Sequence, residues 1–340
     1  MRVLNVHGVN DVRLDPVDPP KPGADDVVVR IKACGVCGTD LTFIKIGGMP
    51  QPGGKPMPLG HEASGEVIAI GAAVKSTKLG QRVVVNPQTK SGVIGNGGSE
   101  GAFTEHLLVR DADVGEVLLP IPEGVPYEIA ALTEPLGVAL HGANRSEARP
   151  GDKVVVFGCG PIGLGVVLWL VDRGVGDVVA VDLSAERLER ARQLGARATI
   201  QAGKEDLRAR LAELHGREWV FNHEGVGTHI YIDAAGAPSI LPDVAAMARL
   251  HARLVIIAAY MKPVEFRLGS ILTNEMTITG SMGYPKELPE VVASLPRLQH
   301  KLGSLISHRF PFERALEAIG TAGTPGSAKV MVEFDGGAAA

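Results

Sequence analysis

Cys37, then Gly60-His61-Glu62, then Thr133-Glu134-Pro135 set out a thiolate, an imidazole and two carboxylates in three well-separated stretches of chain. These are the donor types that Zn²⁺ takes as sulfur, nitrogen and oxygen ligands. A structural zinc is closed by four ligands, commonly in close-spaced pairs, whereas ligands scattered in this way suit an open, catalytic site. A second signature, Gly158-Cys159-Gly160-Pro161-Ile162-Gly163, lies between two apolar runs. Strand, glycine loop and helix in that order are a dinucleotide fingerprint. The first glycine makes the tight turn, the second lets a pyrophosphate reach the backbone, and the third packs helix on strand. Free amides at the positive end of the helix would hold the phosphates. Asp182 ends the next strand, about twenty residues on, where a carboxylate accepts from the ribose 2′-hydroxyl and repels a 2′-phosphate. Neither neighbour, Val181 or Leu183, is basic, so NAD is expected over NADP. Arg187 is placed either to approach the adenosine phosphate or to pair along its own helix. A Lewis acid and a hydride acceptor on one chain imply alcohol oxidation.

The elements that must carry these residues change character near Pro150-Gly151. Before it the chain reads as short strands split by Gly and Pro: Val27–Lys32, Ala63–Ile70, Arg82–Val85 and Phe103–Val109, with an irregular Gly47–Pro58 loop. Pro126–Leu132 and Pro135–Arg145 read as helices opened by proline. After it come Lys153–Phe157 as a buried strand, Ile162–Arg173 as a helix, Asp177–Val181 as a strand, and an amphipathic Ser184–Leu194 helix. Ser184 caps that helix and Gly195 closes it. Tyr231–Ala234 and Leu254–Ala259 continue the alternation, which means right-handed βαβ units and a parallel sheet. The last sixty or so residues return to mixed strands and helices and are expected to rejoin the first domain. The tail Gly336–Ala340 is expected to be disordered.

Composition narrows the partners. The 340 residues carry a net charge of −4 and no long basic run, and only 4% are aromatic, so neither nucleic acid nor an anionic membrane is indicated. The longest strongly apolar stretch, Ile162–Val171, is too short to span a bilayer. The N-terminus has no secretory pattern. Of three cysteines, Cys34 and Cys37 form a C-x-x-C, and no second pair exists to complete a four-cysteine site. A thioredoxin-like pair opens a helix after a strand. Here the cysteines follow the extended run Val27–Lys32, so a redox dithiol is disfavoured. An odd count with no framework suits a reducing, cytoplasmic compartment.

With these motifs in hand, the chain resembles the zinc-dependent medium-chain dehydrogenases, most closely their sorbitol and threonine dehydrogenase branch. The resemblance runs from Val27 to about residue 335. It rests on Cys34-Gly35-Val36-Cys37-Gly38-Thr39-Asp40, Gly60-His61-Glu62-Ala63-Ser64-Gly65, Thr133-Glu134-Pro135-Leu136, the glycine fingerprint and Val181-Asp182-Leu183-Ser184. It implies an α/β chain: a GroES-like β-barrel catalytic domain over 1–135 and 283–340, and a doubly wound Rossmann domain over 136–282, with zinc and nicotinamide in the cleft between. It assigns Cys37, His61 and Glu62 as metal ligands, with Glu134 binding the metal directly or through water. Asp40 would orient the ligating histidine, and Thr39 would take the substrate proton. Ala258 and Ser281 join Gly158, Gly160, Pro161, Ile162, Gly163, Asp182 and Arg187 as cofactor contacts, and Phe43 and Tyr284 as substrate contacts. It also implies a homodimer or homotetramer, paired through a late strand at Met276–Ser281.

Charge arithmetic refines the metal expectation. One thiolate and one carboxylate leave Zn²⁺ roughly neutral and able to acidify a bound alcohol, whereas a permanent Glu134 would make the site anionic. Glu134 is therefore expected to exchange with water or substrate. Three departures from the branch matter. Asn86–Gly101 lacks the four cysteines of the family's second, structural zinc, so one zinc per chain is expected. Thr42 replaces a relay histidine. Phe43 and Gly283 replace a tyrosine and an arginine, removing groups that would read several substrate hydroxyls. Ile46, Met49 and Leu272 are open to two uses, an apolar wall for the substrate or core packing, and core packing is the one expected. The leading expectation is NAD-dependent, zinc-dependent oxidation of a secondary alcohol or vicinal diol, with a sugar-alcohol dehydrogenase as runner-up. A zinc-free quinone or enoyl reductase and a non-catalytic NAD-binding protein are the readings from other classes. Cys37 and Asp182 speak against the first of these, and only Thr42 and the altered pocket hint at the second.

Overall fold

The computed structural model describes residues 1–89, 92–113, 116–221 and 223–334; the expected disorder of Gly336–Ala340 lies outside them. The chain forms two compact units, Met1–Glu134 with Leu288–Ala340, and Pro135–Glu287. No helix among the described residues is long and apolar enough to cross a membrane.

In the first unit the ten-residue strand Val27–Val36 lies inside a seven-stranded sheet. Glu62–Ile70 pairs with it antiparallel on one side and Lys329–Glu333 on the other. The strand runs four residues past the expected Lys32 because both neighbours keep supplying hydrogen bonds, so Cys34 and Gly35 are strand residues. Its side chains feed a core of Val27, Val29, Ile31, Leu59, Phe103 and Val330. Gly38–Ile46 then forms a helix directly after Cys37.

The helix Thr133–Ser146 begins two residues before the expected Pro135. Proline is tolerated there because the first amides of a helix have no intrahelical acceptor. Glu134 consequently falls in the first turn, at the favourable end of the helix dipole.

The second unit is built on a six-stranded sheet, every pair parallel. Its order is Ala198–Gln201, Asp177–Asp182, Lys153–Phe157, Ile230–Asp233, Arg253–Ile256, Thr277–Gly280. Chain order reverses between Lys153–Phe157 and Ile230–Asp233, the position where doubly wound sheets bind ligands. Val154, Val155 and Val156 are all fully buried because helices cover both faces, which is why the strand reads as a continuous apolar run. Truncating a residue such as Leu254 in this core should cost about 2–5 kcal/mol.

Candidate functional site

Cys37 is the N-cap of the Gly38–Ile46 helix. Its Sγ accepts from the Thr39 amide at 3.5 Å, and Asp40 Oδ2 accepts in return from the Cys37 amide at 2.9 Å. That reciprocal cap fixes the sulfur at the positive end of the helix. The other Asp40 oxygen accepts from Gly60 N at 3.2 Å and lies 3.6 Å from His61 Nδ1. Gly60 has φ +92°, and a Cβ there would stand 2.6 Å from Phe103 N, so glycine sets the turn that delivers His61. His61 is buried and its Nδ1 has no hydrogen-bond partner. Burial opposes charging the ring, but the neighbouring Cys37 and Asp40 outweigh it and hold its pKa well above the usual value. The pocket thus favours a cation at this point.

Sulfur of Cys37, a ring nitrogen of His61 and a carboxylate oxygen of Glu62 all lie within 4.8 Å of one another, the cation-sized cluster found among the described residues. Zinc takes sulfur, nitrogen and oxygen ligands at about 2.0–2.3 Å, so donor atoms gathered this closely could share one ion. The donor set fits zinc. Glu134 is outside that trio: it is buried in the first turn of its helix and adds its field to the same pocket.

Sequence reasoning missed Lys329. It is 1% exposed, and its Nζ donates to Glu62 Oε1 and Oε2 at 2.6 and 2.5 Å and to Val36 O at 2.9 Å. Burial would discharge the ammonium, but Glu62, then Cys37 and Glu134, hold its pKa above the ordinary lysine value. The available signal was a lysine inside the apolar run Ala328–Val332. Gly35 makes the pair possible, because a Cβ there would lie 2.1 Å from Glu62 Oε2.

Other expected residues are placed as follows. Thr39 is exposed beside Cys37. The Thr42 hydroxyl donates to Gly38 O at 3.0 Å, within its own helix. Phe43 packs partly against the first unit's core, and Tyr284 is buried in the second unit. Ile46, Met49 and Leu272 are 53%, 48% and 79% exposed, so core packing is not their use. Ile46 ends its helix, Met49 follows in the loop, and Leu272 faces outward. Cys37 does open a helix after a strand, contrary to expectation, so its place in the chain does not exclude a dithiol. What separates the pair is Cys34, which is fully buried; desolvation, reinforced by Asp40 and Glu62, pushes its thiol well up. A thiol so held is a poor nucleophile.

In the second unit the three loop glycines have different surroundings. Gly158 has φ +87° and lies against Ala235, with only 2.9 Å between that residue and a Cβ at Gly158. A Cβ on Gly163 would meet Gly158 O at 1.7 Å, whereas one on Gly160 meets nothing within 4 Å. Gly160 caps the Pro161–Asp172 helix, with Pro161 and Ile162 opening it. Asp182 accepts from Cys159 N at 2.7 Å and Ser184 N at 2.8 Å, which locks its carboxylate beside the loop. Arg187 is half-buried in the first turn of the next helix, and its charge reaches Cys159. Ala258 and Ser281 follow the carboxyl ends of their strands; the Ala258 amide donates to Asp233 O and the Ser281 amide to Ile256 O. Asp233 is a second residue not foreseen. Buried at its strand's end, it accepts from Ala235 N, Gly236 N and Tyr260 Oη at 2.9, 2.9 and 2.5 Å.

Comparison with known proteins adds an independent line. A family model described as "Alcohol dehydrogenase GroES-like domain" matches residues 23–123, and one described as "Zinc-binding dehydrogenase" matches 161–297. The chain is 31% identical over 339 residues to (R,R)-butanediol dehydrogenase of Bacillus subtilis, covering 93% of this chain and 94% of that protein. Sorbitol dehydrogenase of Mus musculus is 31% identical over 349 residues, covering 98% and 95%. A crystal structure of 2R,3R-butanediol dehydrogenase from Bacillus subtilis superposes with a TM-score of 0.86 at 30% identity, covering 98% and 99%. A short chain alcohol dehydrogenase from E. coli CFT073, complexed with cofactor NADH, gives 0.84 at 28% identity, again covering 98% and 99%.

Proposed function

The chain belongs to the zinc-dependent medium-chain dehydrogenases, in their sorbitol- and polyol-like branch, and from that premise we propose that it oxidises a secondary alcohol or vicinal diol to the ketone, reversibly, with NAD as acceptor. The observation that carries the reading is the sulfur, nitrogen and oxygen cluster of Cys37, His61 and Glu62. Cys37, His61 and Glu62 would hold a zinc ion, which would supply the charge that makes a substrate hydroxyl easier to deprotonate, and the Gly158–Gly163 loop with Asp182 would hold an NAD, which would supply the hydride acceptor.

The chain's own residues supply the rest. Asp40 fixes both the Cys37 cap and the turn before His61, so one carboxylate sets the position of two ligands. Glu134 approaches as an exchangeable ligand rather than a permanent one. Thr39, exposed beside the sulfur, takes the substrate proton toward water; Thr42 is engaged with its own helix and does not relay it. Gly160 leaves room for the pyrophosphate, and Asp182 accepts from the ribose hydroxyl and excludes a 2′-phosphate. Arg187, Ala258 and Ser281 complete the cofactor contacts.

We infer one zinc per chain, because the Asn86–Gly101 segment has no cysteine to hold a second. Phe43, which offers no hydrogen-bonding group, supports a diol or alcohol with an apolar portion, and Tyr284 is a further candidate substrate contact. The alternative, a polyol substrate, draws on the likeness to sorbitol dehydrogenase. The edge strand Thr277–Gly280, with Leu268, Leu272 and Met282 exposed near it in sequence, suits pairing with a second copy. Three free cysteines suit the cytoplasm.

The test is NADH formation by zinc-loaded protein on the stereoisomers of butanediol, on 2-butanol and on sorbitol, with metal content measured alongside. About one zinc per chain, and turnover lost with a chelator and regained with Zn²⁺, support the reading. Full activity after complete metal removal refutes it. A zinc-free reductase or a non-catalytic protein would pass through chelation unchanged.

A further inference from the structure

Glu62 is asked to serve two cations. It sits opposite Gly35 on one flank of the Val27–Val36 strand, and Met331 sits opposite Gly35 on the other. Lys329, two residues before Met331, reaches the same face of the sheet. With no side chain on Gly35, carboxylate and ammonium meet above it, 267 residues apart in sequence. Both Glu62 oxygens are engaged by Lys329 at 2.5 and 2.6 Å while one of them lies within the Cys37–His61 cluster. An oxygen already compensated by a buried ammonium is a weaker donor to a second cation.

We propose that Lys329 is a positioning residue that competes with the metal for Glu62, holding this carboxylate to loose coordination so that one position on the cation stays open for the substrate oxygen. The inference rests on the metal reading of Cys37, His61 and Glu62, and deepens it. It also alters the charge count: thiolate, Glu62 and an approaching Glu134 are balanced by zinc together with Lys329. A passing Glu134 contact is then tolerated without a net negative centre.

Cobalt(II) substitution reads both claims separately. The full-length protein is titrated with Co²⁺ against a chelating dye, and the visible spectrum is recorded. A sulfur-to-cobalt charge-transfer band, absent in Cys37→Ser, reports the metal site itself; its absence from the unmutated protein would sink the metal reading and this proposal with it. With the band present, Lys329→Met is expected to bind Co²⁺ about ten-fold more tightly, at the low end of what groups bonded to metal ligands produce. Its ligand-field bands should shift as Glu62 closes on the ion, and kcat should fall more than KM rises. Glu62→Gln/Lys329→Met, a neutral pair, should bind no more tightly than the unmutated protein. Lys329→Arg should restore the original spectrum. Lys329→Gln keeps an N–H toward Glu62 and drops the charge, and it carries the same test should the methionine variant fail to fold. Cobalt affinity and spectrum unchanged in whichever neutral variant folds would overturn the role of Lys329 and leave the metal reading standing.

Discussion

The two units solve the placement of their chemistry in opposite ways. The parallel sheet of the second unit draws the glycine loop and the carboxylate of its proposed cofactor site from one contiguous stretch, Gly158 to Asp182, with the Cys159 amide bonded directly to the Asp182 carboxylate. The mostly antiparallel sheet of the first unit gathers Cys37, Asp40, Glu62 and Lys329 from opposite ends of the chain, and does so around buried charge. A local motif can rely on backbone geometry alone. A centre made of distant segments must neutralise what it buries, because an unpaired interior charge costs several kcal/mol.

The largest test of that contrast is Cys37→Ser. Replacing the thiolate weakens the metal and removes the charge stabilisation it provides, worth several kcal/mol, so kcat/KM is expected to fall by about three orders of magnitude or more. NAD binding, proposed for the other unit, should be unchanged in fluorescence titration. If both are lost together, the sites are not separately built.

The second test concerns buried titration in the parallel unit. His215 is buried, with Nδ1 2.8 Å from Thr228 Oγ1 and Nε2 3.3 Å from Asp177 Oδ1. Burial, only partly offset by Asp177, lowers its pKa from 6.5 to about 4. The unfolded chain therefore binds a proton near pH 6.5 that the folded chain refuses until about pH 4. The stability is present above the unfolded value and is lost as pH falls through that window, by about 3 kcal/mol in all. Denaturant titrations at pH 7.5 and 5.0 should show the slope, and His215→Asn should flatten it; equal slopes would remove His215 from the account.

Two glycines of one loop sharpen the distinction between fold and ligand. Gly163→Ala forces a methyl onto Gly158 O and should cost about 1–3 kcal/mol in stability, measured by thermal or denaturant unfolding. Gly160→Ala meets open space, so stability should stay within about 0.5 kcal/mol while NAD affinity drops. Reversed results would mean that the pyrophosphate lies elsewhere. The smallest expected effect is that of Asp182→Ala. Losing a charge-assisted hydrogen bond should lower kcat/KM for NAD by about ten-fold and raise the relative use of NADP. Unchanged discrimination would leave Asp182 as a brace for Cys159 and Ser184.

The same contrast explains what could be read from sequence. Gly158, Gly160, Gly163 and Asp182 were legible because their spacing is the geometry: strand, turn and helix are adjacent in chain and in space. Cys37, His61 and Glu62 were legible as donor types, and the fold explains their meeting, which their spacing does not. Lys329 was not legible, because a basic residue in a C-terminal strand is ordinarily solvated, and only the pairing of that strand with Val27–Val36 brings it inward. Gly35 is part of the Cys34–Asp40 motif, but its purpose depends on Lys329, 294 positions later. The helix-opening place of Cys37 has the same origin. The strand end could not be fixed until its two neighbours were known, so Cys37 as a helix cap was out of reach.

The pairing of Lys329–Glu333 along the Val27–Val36 strand puts the C-terminal end of the described chain against a candidate centre whose proposed ligands all precede Pro135. Cropping the polypeptide just ahead of Lys329 would keep every proposed donor residue in the chain, yet remove both the counter-ion of an interior carboxylate and a strand of the first unit's core.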